Sequence, residues 1–474
     1  MDHWQQGETI DLTITNLSSG GDGLGRWHER VVFVPDTVPG DLVRARLVQA
    51  KPTFGRAKLR QMLTPSPDRV RPACIVADKC GGCQWQAVSY PAQLAAKQQQ
   101  VVDALTRLGG FEQPPVLPIL GAAAPLGYRN KATYPLGRSP EGAVKAGYFR
   151  KGSHKLVNLN QCPVQDDRLN PLLAEVKRDI QERGWSIYNE TRHVGRLRHL
   201  ALRVGRRTGQ QLLTLVSTAP NLKDIELQAQ VWMERYPDLV GVCVNLNADK
   251  TNAIFGPETL VIEGVPYLEE IFAGLRFTIH ATTFFQVNTE QAEQMLQVIL
   301  NELQLTGRET LIDAYCGVGT LTLPLAQKAR RCIGLDVQPE AVAQGLANAG
   351  LNGIENVEFR AGDVADLLPQ AALSLASTLS AETISSELIS PEGPGVPPDI
   401  VVLDPPRKGC DRAVLEALVA LKPHRLVYMS CDPATLARDL KILRDEGGYT
   451  LVKAQPADFF PQTSHVECVA FLVA

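Results

Sequence analysis

Leu311-Ile-Asp-Ala-Tyr-Cys-Gly-Val-Gly-Thr320 carries an apolar strand into a glycine turn, and the apolar helical stretch 321–329 follows directly. Gly317 and Gly319 let the backbone pass close to a ligand. Asp336 ends the next apolar run 19 residues after Gly317, where a carboxylate can chelate ribose hydroxyls. Outward from this turn, the runs 310–314, 332–336, 357–361, 400–404 and 426–430 read as continuous apolar strands, several with helical segments between them. Such alternation predicts a doubly wound, mainly parallel α/β sheet of Rossmann-like type over residues 282–474. One stretch, 371–398, breaks the order: it has six serines, four prolines and no basic residue. It reads as a flexible surface insertion whose deletion should be tolerated.

Two cofactors suit the glycine turn. A dinucleotide asks for glycine or alanine three residues past the second glycine, where this chain has Thr322. An acid in the first turn, Asp313, favours a cationic ligand over a pyrophosphate, so S-adenosylmethionine is the better choice. Tyr315 and Thr320 in the same turn, Asp336, and Asp363 at the level of an adenine complete the candidate cofactor contacts. Each aspartate has a plain structural alternative as a helix N-cap.

Three residues in the second half of this domain carry chemistry. Asp404, in Leu403-Asp-Pro-Pro-Arg-Lys408, follows the fourth strand and projects where active crevices lie in open α/β sheets. Cys431 ends the fifth strand just before a helix with proline at its first position, a setting that favours a thiolate. Glu467 sits in the apolar terminal stretch 464–472, where an unpaired carboxylate is costly, so it is either paired or functional. A thiolate, a carboxylate and a methyl donor suit methylation at C5 of a pyrimidine. Addition of sulfur to C6 makes C5 nucleophilic, and a base must then remove the C5 proton. Cys431 is the candidate nucleophile and Glu467 the candidate base.

The whole chain has 474 residues with 44% hydrophobic and 21% charged residues, an ordinary globular composition for two to four domains. Its net charge of −3 advertises no nucleic acid, but residues 26–71 hold ten Lys/Arg against four Asp/Glu, and 192–207 hold six arginines and no acid. Such asymmetry fits a phosphate-backbone partner. No basic flank precedes an apolar stretch at the N-terminus and no run approaches a membrane span, so the expected setting is cytoplasmic, with no membrane partner and no DNA. A monomer is expected.

Residues 1–65 alternate apolar and polar positions between Gly and Pro turns, predicting an OB-like β-barrel. Residues 70–280 form a central region with helices at 93–108 and 171–183 and β-rich stretches at 200–204 and 211–216; segment 93–120 is a candidate to pack on the catalytic domain. Cys74, Cys80 and Cys83, with a distant Cys162, look like one four-thiolate site. Their spacing alone leaves zinc and an iron–sulfur cluster both open. Cys243, Cys332, Cys410 and Cys468 read as core thiols, and Cys316 as packed beside the cofactor. In the barrel, Phe33 and Phe54 could stack a base or fill the core, Phe33 being read as the core residue.

Phe284-Phe-Gln286-Val-Asn288, Asp313-Ala-Tyr-Cys-Gly-Val-Gly319, Leu403-Asp-Pro-Pro-Arg407, Ser430-Cys-Asp-Pro433 and His465-Val-Glu467 occur in an order that resembles the RNA uracil-5-methyltransferase family, in particular the branch acting on 23S ribosomal RNA. The resemblance spans nearly the whole chain except 371–398, and Gly23-Leu-Gly25-Arg26 resembles a TRAM domain. It implies that Gln286 touches the methyl donor, that Cys431 and Glu467 are nucleophile and base, and that Asp404 contacts the polar edge of the uracil. Arg407 belongs to the same motif as Asp404, and Phe284, Arg407, Lys131 and Arg129 are candidate substrate contacts, with the 192–207 arginines as further candidates. It also implies a 4Fe-4S cluster on Cys74, Cys80, Cys83 and Cys162. Asp336 stands where the family often has Glu. Alternatives are a transfer-RNA target, cytosine-5 methylation, which typically employs a second cysteine, and a non-catalytic RNA-binding or assembly factor.

Overall fold

The computed structural model describes residues 4–383 and 397–474. Its first unit is a closed barrel of β1 (Thr9–Leu17), β2 (Gly23–Trp27), β3 (Arg30–Val34), β4 (Leu42–Ala50) and β5 (Phe54–Thr64), ordered β1-β2-β3-β5-β4. The predicted alternation is what closes it: Ile10, Leu12 and Ile14 point inward against Val32, Val34, Val43, Ala45 and Leu47. Phe33 is a correction. It lies between the inward Val32 and Val34 and therefore faces out, meeting Phe54 edge-on at 6.1 Å with the Arg56 guanidinium 5.3 Å from its ring.

After the barrel comes α1 (Tyr90–Arg107), started by Ser89, whose side chain accepts from the Ala92 amide. A seven-stranded sheet follows, built from β6 (Lys131–Arg138), β7 (Val144–Phe149), β8 (Leu156–Asn158), β9 (Leu197–Val204), β10 (Gln211–Ser217), β11 (Leu239–Leu246) and β12 (Glu258–Gly264), in the order β12-β11-β10-β9-β6-β7-β8. Helices α2 (Leu169–Glu182) and α3 (Ile225–Arg235) supply apolar residues to its core. The hairpin β13 (Tyr267–Phe272) and β14 (Leu275–His280) leads to α4 (Thr289–Leu303).

The last sheet contains β15 (Thr310–Ala314), β16 (Arg331–Asp336), β17 (Val357–Ala361), β18 (Ile400–Leu403), β19 (Arg425–Ser430), β20 (Thr450–Ala457) and β21 (Glu467–Val473). Around and between these strands run α5 (Thr322–Ala326), α6 (Pro339–Leu351), α7 (Val364–Thr383), α8 (Arg412–Leu421) and α9 (Pro433–Gly447). The strand order is β17-β16-β15-β18-β19-β21-β20, parallel through the first five and antiparallel at β21. The order reverses direction between β15 and β18, which creates a crevice at the carboxyl ends of those two strands.

One finding alters the sequence picture. The expected flexible insertion begins inside α7, where Ala371, Ala372 and Leu375 are buried in the core of the last sheet. Its start is structural, and deletion from 371 would remove core; residues 384–396 lie outside the described residues. Helix α1 buries Val101 and Leu105 in this same core, and segment 116–120 pairs with β20 through Val116–Ala454 and Leu120–Ala457. No helix among the described residues is long and apolar enough to cross a membrane.

Candidate active site

The carboxyl ends of β15, β16 and β18 set the cofactor side of the crevice. Tyr315, in the left-handed region at φ 71°, begins the turn, and its amide and that of Cys316 both donate to the Leu335 carbonyl. Gly317 (φ 54°) donates its amide to Asp336 Oδ2 at 3.0 Å, and a Cβ at Gly317 would enter open space, so this edge of the turn is free to meet a ligand. Thr320 continues the turn. Asp363 Oδ1 accepts from the Ala365 amide at 2.8 Å and so also does the capping work of its plain reading, whereas Asp336 Oδ1 accepts at 2.8 Å from the amide of Gln338, itself the N-cap of α6.

Asp313 is different. It is 1% exposed, accepts from the Thr322 hydroxyl at 2.5 Å, and has its Oδ1 buried with no hydrogen-bond partner. Burial first, and then the charges of Asp404 and Asp336, push its pKa up to about 7. A buried carboxylate oxygen without a donor is costly unless a ligand supplies one. A cationic cofactor meets that need.

Cys431, Asp404 and Glu467 meet at the next strand ends. Antiparallel register sets Ser430 opposite Cys468 at the end of β19, so Cys431 and Glu467 are the residues that adjoin this last pair, and the Glu467 charge acts on the Cys431 thiol. Burial pushes Asp404 up to about 7. It pushes Glu467 up to about 8, with Asp404 adding to the rise and Arg407 and Lys97 opposing it. Glu467 is 5% exposed and makes no ion pair among the described residues. The expected thiolate is a correction: Cys431 precedes the N-cap Asp432, and burial together with Glu467 and Asp404 outweighs Arg407, pushing the thiol up to about 11. Arg407 is exposed, with its Nη2 3.4 Å from His465 Nε2.

A cavity of about 640 Å³ opens beside Cys431. Arg407 and His465 line it from the catalytic side, α1 contributes Gln100 and Arg107, and the barrel turn contributes Leu17 and Ser19. Ser464 Oγ donates to the Ser19 carbonyl at 2.7 Å, which pins the barrel over this mouth. Phe284 is 67% exposed while its neighbour Phe285 is buried, so the motif loop anchors by one ring and presents the other. Asn130 donates to the Gln286 carbonyl (2.9 Å) and to Thr289 Oγ1 (3.0 Å), fixing the loop that carries Gln286.

The pattern of the family described as tRNA (Uracil-5-)-methyltransferase matches residues 269–474, and that of the TRAM domain matches residues 3–59. An uncharacterized RNA methyltransferase of Nostoc sp. is 61% identical over 470 residues, covering 99% of this chain and 97% of that one. The chain belongs to the RNA uracil-5-methyltransferase family. A Synechocystis RNA methyltransferase, also uncharacterized, is 54% identical over 99% of this chain and 97% of its own length. The crystal structure of Pyrococcus abyssi tRNA (uracil-54, C5)-methyltransferase in complex with S-adenosyl-L-homocysteine has a TM-score of 0.74 at 26% identity, covering 98% of this chain and all of that one.

In this RNA methyltransferase four of the six 192–207 arginines are held by groups of the chain itself, with Arg198 and Arg203 buried and Arg192 left exposed, which narrows their reading as an RNA face. Arg198 donates to the carbonyls of Asn247, Asp249 and Thr251, and Arg203 to Thr283. Arg206 pairs with Asp166 and Glu290, and Arg207 with Glu290 and Glu293. A composition count cannot see these partners because the acids come from distant segments. Arg129 Nε donates to the Lys131 carbonyl at 2.9 Å. Lys131 is pushed down to about 6 by burial and by Arg203 and Arg129, and its Nζ lies 5.3 Å from the Phe255 ring, which disfavours a phosphate contact in the free protein.

The methyltransferase also gathers Cys74, Cys80, Cys83 and Cys162 around one cavity of about 230 Å³, walled by Tyr128, Arg129 and Thr463. The Gly82 amide lies 3.4 Å from Cys80 Sγ, while the Val164 and Gln165 amides point at Cys162. Among the described residues no three His, Cys, Asp or Glu side chains have the spacing for a single metal ion. Cys243, Cys332, Cys410 and Cys468 are buried as expected of core thiols, and Cys316 is buried within the glycine turn.

Sequence reading missed Asn130, Thr322 and Lys97. Thr322 stood out only as a departure from the dinucleotide pattern. Asn130 lay unremarked beside two basic residues, and nothing local marks Lys97.

Proposed function

We propose that this enzyme methylates C5 of an unpaired uridine in RNA through transient addition of Cys431 to uracil C6, with Glu467 as base, and that its target is 23S ribosomal RNA. The observation that carries the chemistry is the β19–β21 register, whose last pair Ser430–Cys468 is adjoined by Cys431 and buried Glu467, with Asp404 acting on both.

S-adenosylmethionine, when bound, supplies the methyl group. Asp313, with its partnerless Oδ1, fits its positive charge; Asp336 and Asp363 suit its ribose and adenine, and Gln286 its methyl-donor end. The Cys431 S–H proton passes to water as the sulfur forms a bond to C6, and the C5–C6 electron pair shifts toward C5 and the O4 carbonyl, which makes C5 nucleophilic. Asp404 orients the uracil edge, and at a pKa of about 7 it can present either a donor or an acceptor. Glu467 accepts the C5 proton after transfer, and Cys431 then leaves C6. Exposed Phe284 stacks on the base, and Arg407 and Arg129 hold nearby phosphate. A base must leave its stack to reach a buried thiol, hence an unpaired target.

The four-cysteine cavity fits a 4Fe-4S cluster. Its thiols surround a volume rather than closing on a point, and backbone amides face two of the sulfurs. Burial and then mutual repulsion push Cys83 up to about 12, which a cationic core would reverse. When present, the cluster ties the cysteine loops together.

The barrel-plus-cysteine arrangement supports ribosomal RNA. A transfer-RNA target is the second reading, favoured by the full-length likeness to the Pyrococcus transfer-RNA enzyme. Mapping 5-methyluridine in both RNAs from a deletion strain tests this: loss at one site in 23S RNA is expected, and loss confined to transfer RNA overturns the ribosomal assignment.

A further inference from the structure

Lys97 is a lysine with no exposed side-chain surface, on a helix outside the segment that matches the methyltransferase pattern. Its Nζ donates to Asp458 Oδ1 at 2.5 Å and to the Phe460 carbonyl at 3.0 Å, and lies 5.8 Å from the Trp85 ring. Asp458 is also fully buried. Taking two charges out of water costs several kcal/mol per ion, and well-packed apolar residues serve stability as well or better. Stability alone is therefore a weak reason for this pair.

Its position supplies another. In the β20–β21 ladder Ala457 pairs with Glu467, so Asp458 is the next residue past the cross-strand partner of the base. The loop between them is held from several sides. Gln93 exchanges hydrogen bonds with Gln462, Tyr128 donates to the Pro461 carbonyl, and Asn288 donates to the Phe459 carbonyl. Lys97 ties down the end nearest Glu467. The ionisable groups around Glu467 are Asp404 behind β18, Arg407 in the following loop, Cys431 at the end of β19, the Lys97–Asp458 pair, and His465 and Cys468 on its own segment. Of the two cations, Arg407 is exposed and Lys97 is buried.

We infer that Lys97, held by Asp458, is a positioning residue for proton abstraction: it fixes the strand end carrying Glu467 and supplies the buried positive charge that lets Glu467 act as a carboxylate. This rests on the reading of Glu467 as the base. In the step concerned the C5–H bond breaks and its electron pair forms the C5–C6 double bond. The C6–S bond breaks with its pair returning to Cys431, and the proton goes to a Glu467 oxygen. Carbon–sulfur bond formation releases the Cys431 proton to water and not to Glu467, so loss of Lys97 should separate the two halves of the reaction. The energetic support agrees in sign, since Lys97 lowers the pKa of Glu467.

The test uses the full-length enzyme and an RNA substrate with either uridine or 5-fluorouridine at the target. Variants are Lys97→Met, Lys97→Arg, the double Lys97→Met/Asp458→Asn, which leaves no orphan charge, and Glu467→Gln as reference. In the double variant, trapping on 5-fluorouridine RNA should stay within about twofold of wild type. Release of methylated uridine RNA should slow about tenfold at pH 7, the equivalent of one pKa unit, with covalent complex accumulating. The acid limb of the release profile should move to higher pH, because the carboxylate form is reached later, and Lys97→Arg should restore it. Trapping and release that fall together with the limb unmoved would reduce Lys97 to a structural role. Accumulation in Glu467→Gln with none in the double variant would overturn this inference alone. No accumulation in Glu467→Gln would overturn the reading of the base and this inference with it.

Discussion

The Thr322 hydroxyl donates to Asp313 Oδ2 at 2.5 Å while Asp313 Oδ1, equally buried, has no donor. The residue that breaks the dinucleotide pattern thus holds one half of a carboxylate and leaves the other half for a ligand.

Thr322→Val removes that donor and raises the Asp313 pKa above about 7. Affinity for S-adenosylmethionine should fall about tenfold or more at pH 7, in keeping with a hydrogen bond to a charged group, and recover partly by pH 9. Isothermal titration without RNA measures both; equal affinity at pH 7 would contradict the assignment.

Asp313, Asp404 and Glu467 are held at about 7, 7 and 8 in the free enzyme. Carboxyls whose folded pKa is raised bind more protons folded than unfolded, so their contribution to stability is present below about pH 4 and is lost as pH climbs through 7 and 8. A bound cation lowers all three. The thermal shift produced by S-adenosylmethionine should therefore grow from pH 6 to pH 8, and binding at pH 7 should release protons, seen as a dependence of binding heat on buffer ionisation enthalpy. Proton uptake would contradict this.

Cys431→Ser should form no covalent complex with 5-fluorouridine RNA on a denaturing gel. Glu467→Gln should accumulate one on ordinary uridine RNA. A serine variant that still traps RNA excludes Cys431 as nucleophile.

Protein purified without oxygen should be brown with a broad visible absorption shoulder, and Cys80→Ser should lose both iron and colour. Colourless protein containing zinc would reassign the four-cysteine cavity.

Leu375→Ala should destabilise the protein by about 2–5 kcal/mol, the range for a buried leucine, since Leu375 is 1% exposed. Denaturant unfolding decides between this core assignment and a loose surface segment, for which the change would be near zero.

Features with a local signature were readable before the structure. Strands such as 310–314 and 426–430 are continuously apolar because a parallel sheet buries both faces, and the crevice residues Asp313, Asp404 and Cys431 each end such a run. Features that depend on distant partners were not. Arg198 and Arg203 look like a basic face until residues 247–251 and 283 accept their protons. Leu375 looked like part of a loop because the serine and proline content was averaged over the whole of 371–398, of which the first part is helix. The Cys431 thiol was misjudged because its position relative to a helix was legible, while the burial and the two carboxyls that raise it were not.

The packing of α1 and segment 116–120 on the last sheet has a consequence for how the chain is made. The barrel strands are contiguous and can close as soon as they leave the ribosome. Val101 and Leu105 instead wait for Leu440, Leu443 and Leu451, which follow α1 by roughly 340 residues, an interval of about 20–70 s at typical elongation rates. During that time the nascent protein carries an amphipathic helix with its apolar face uncovered.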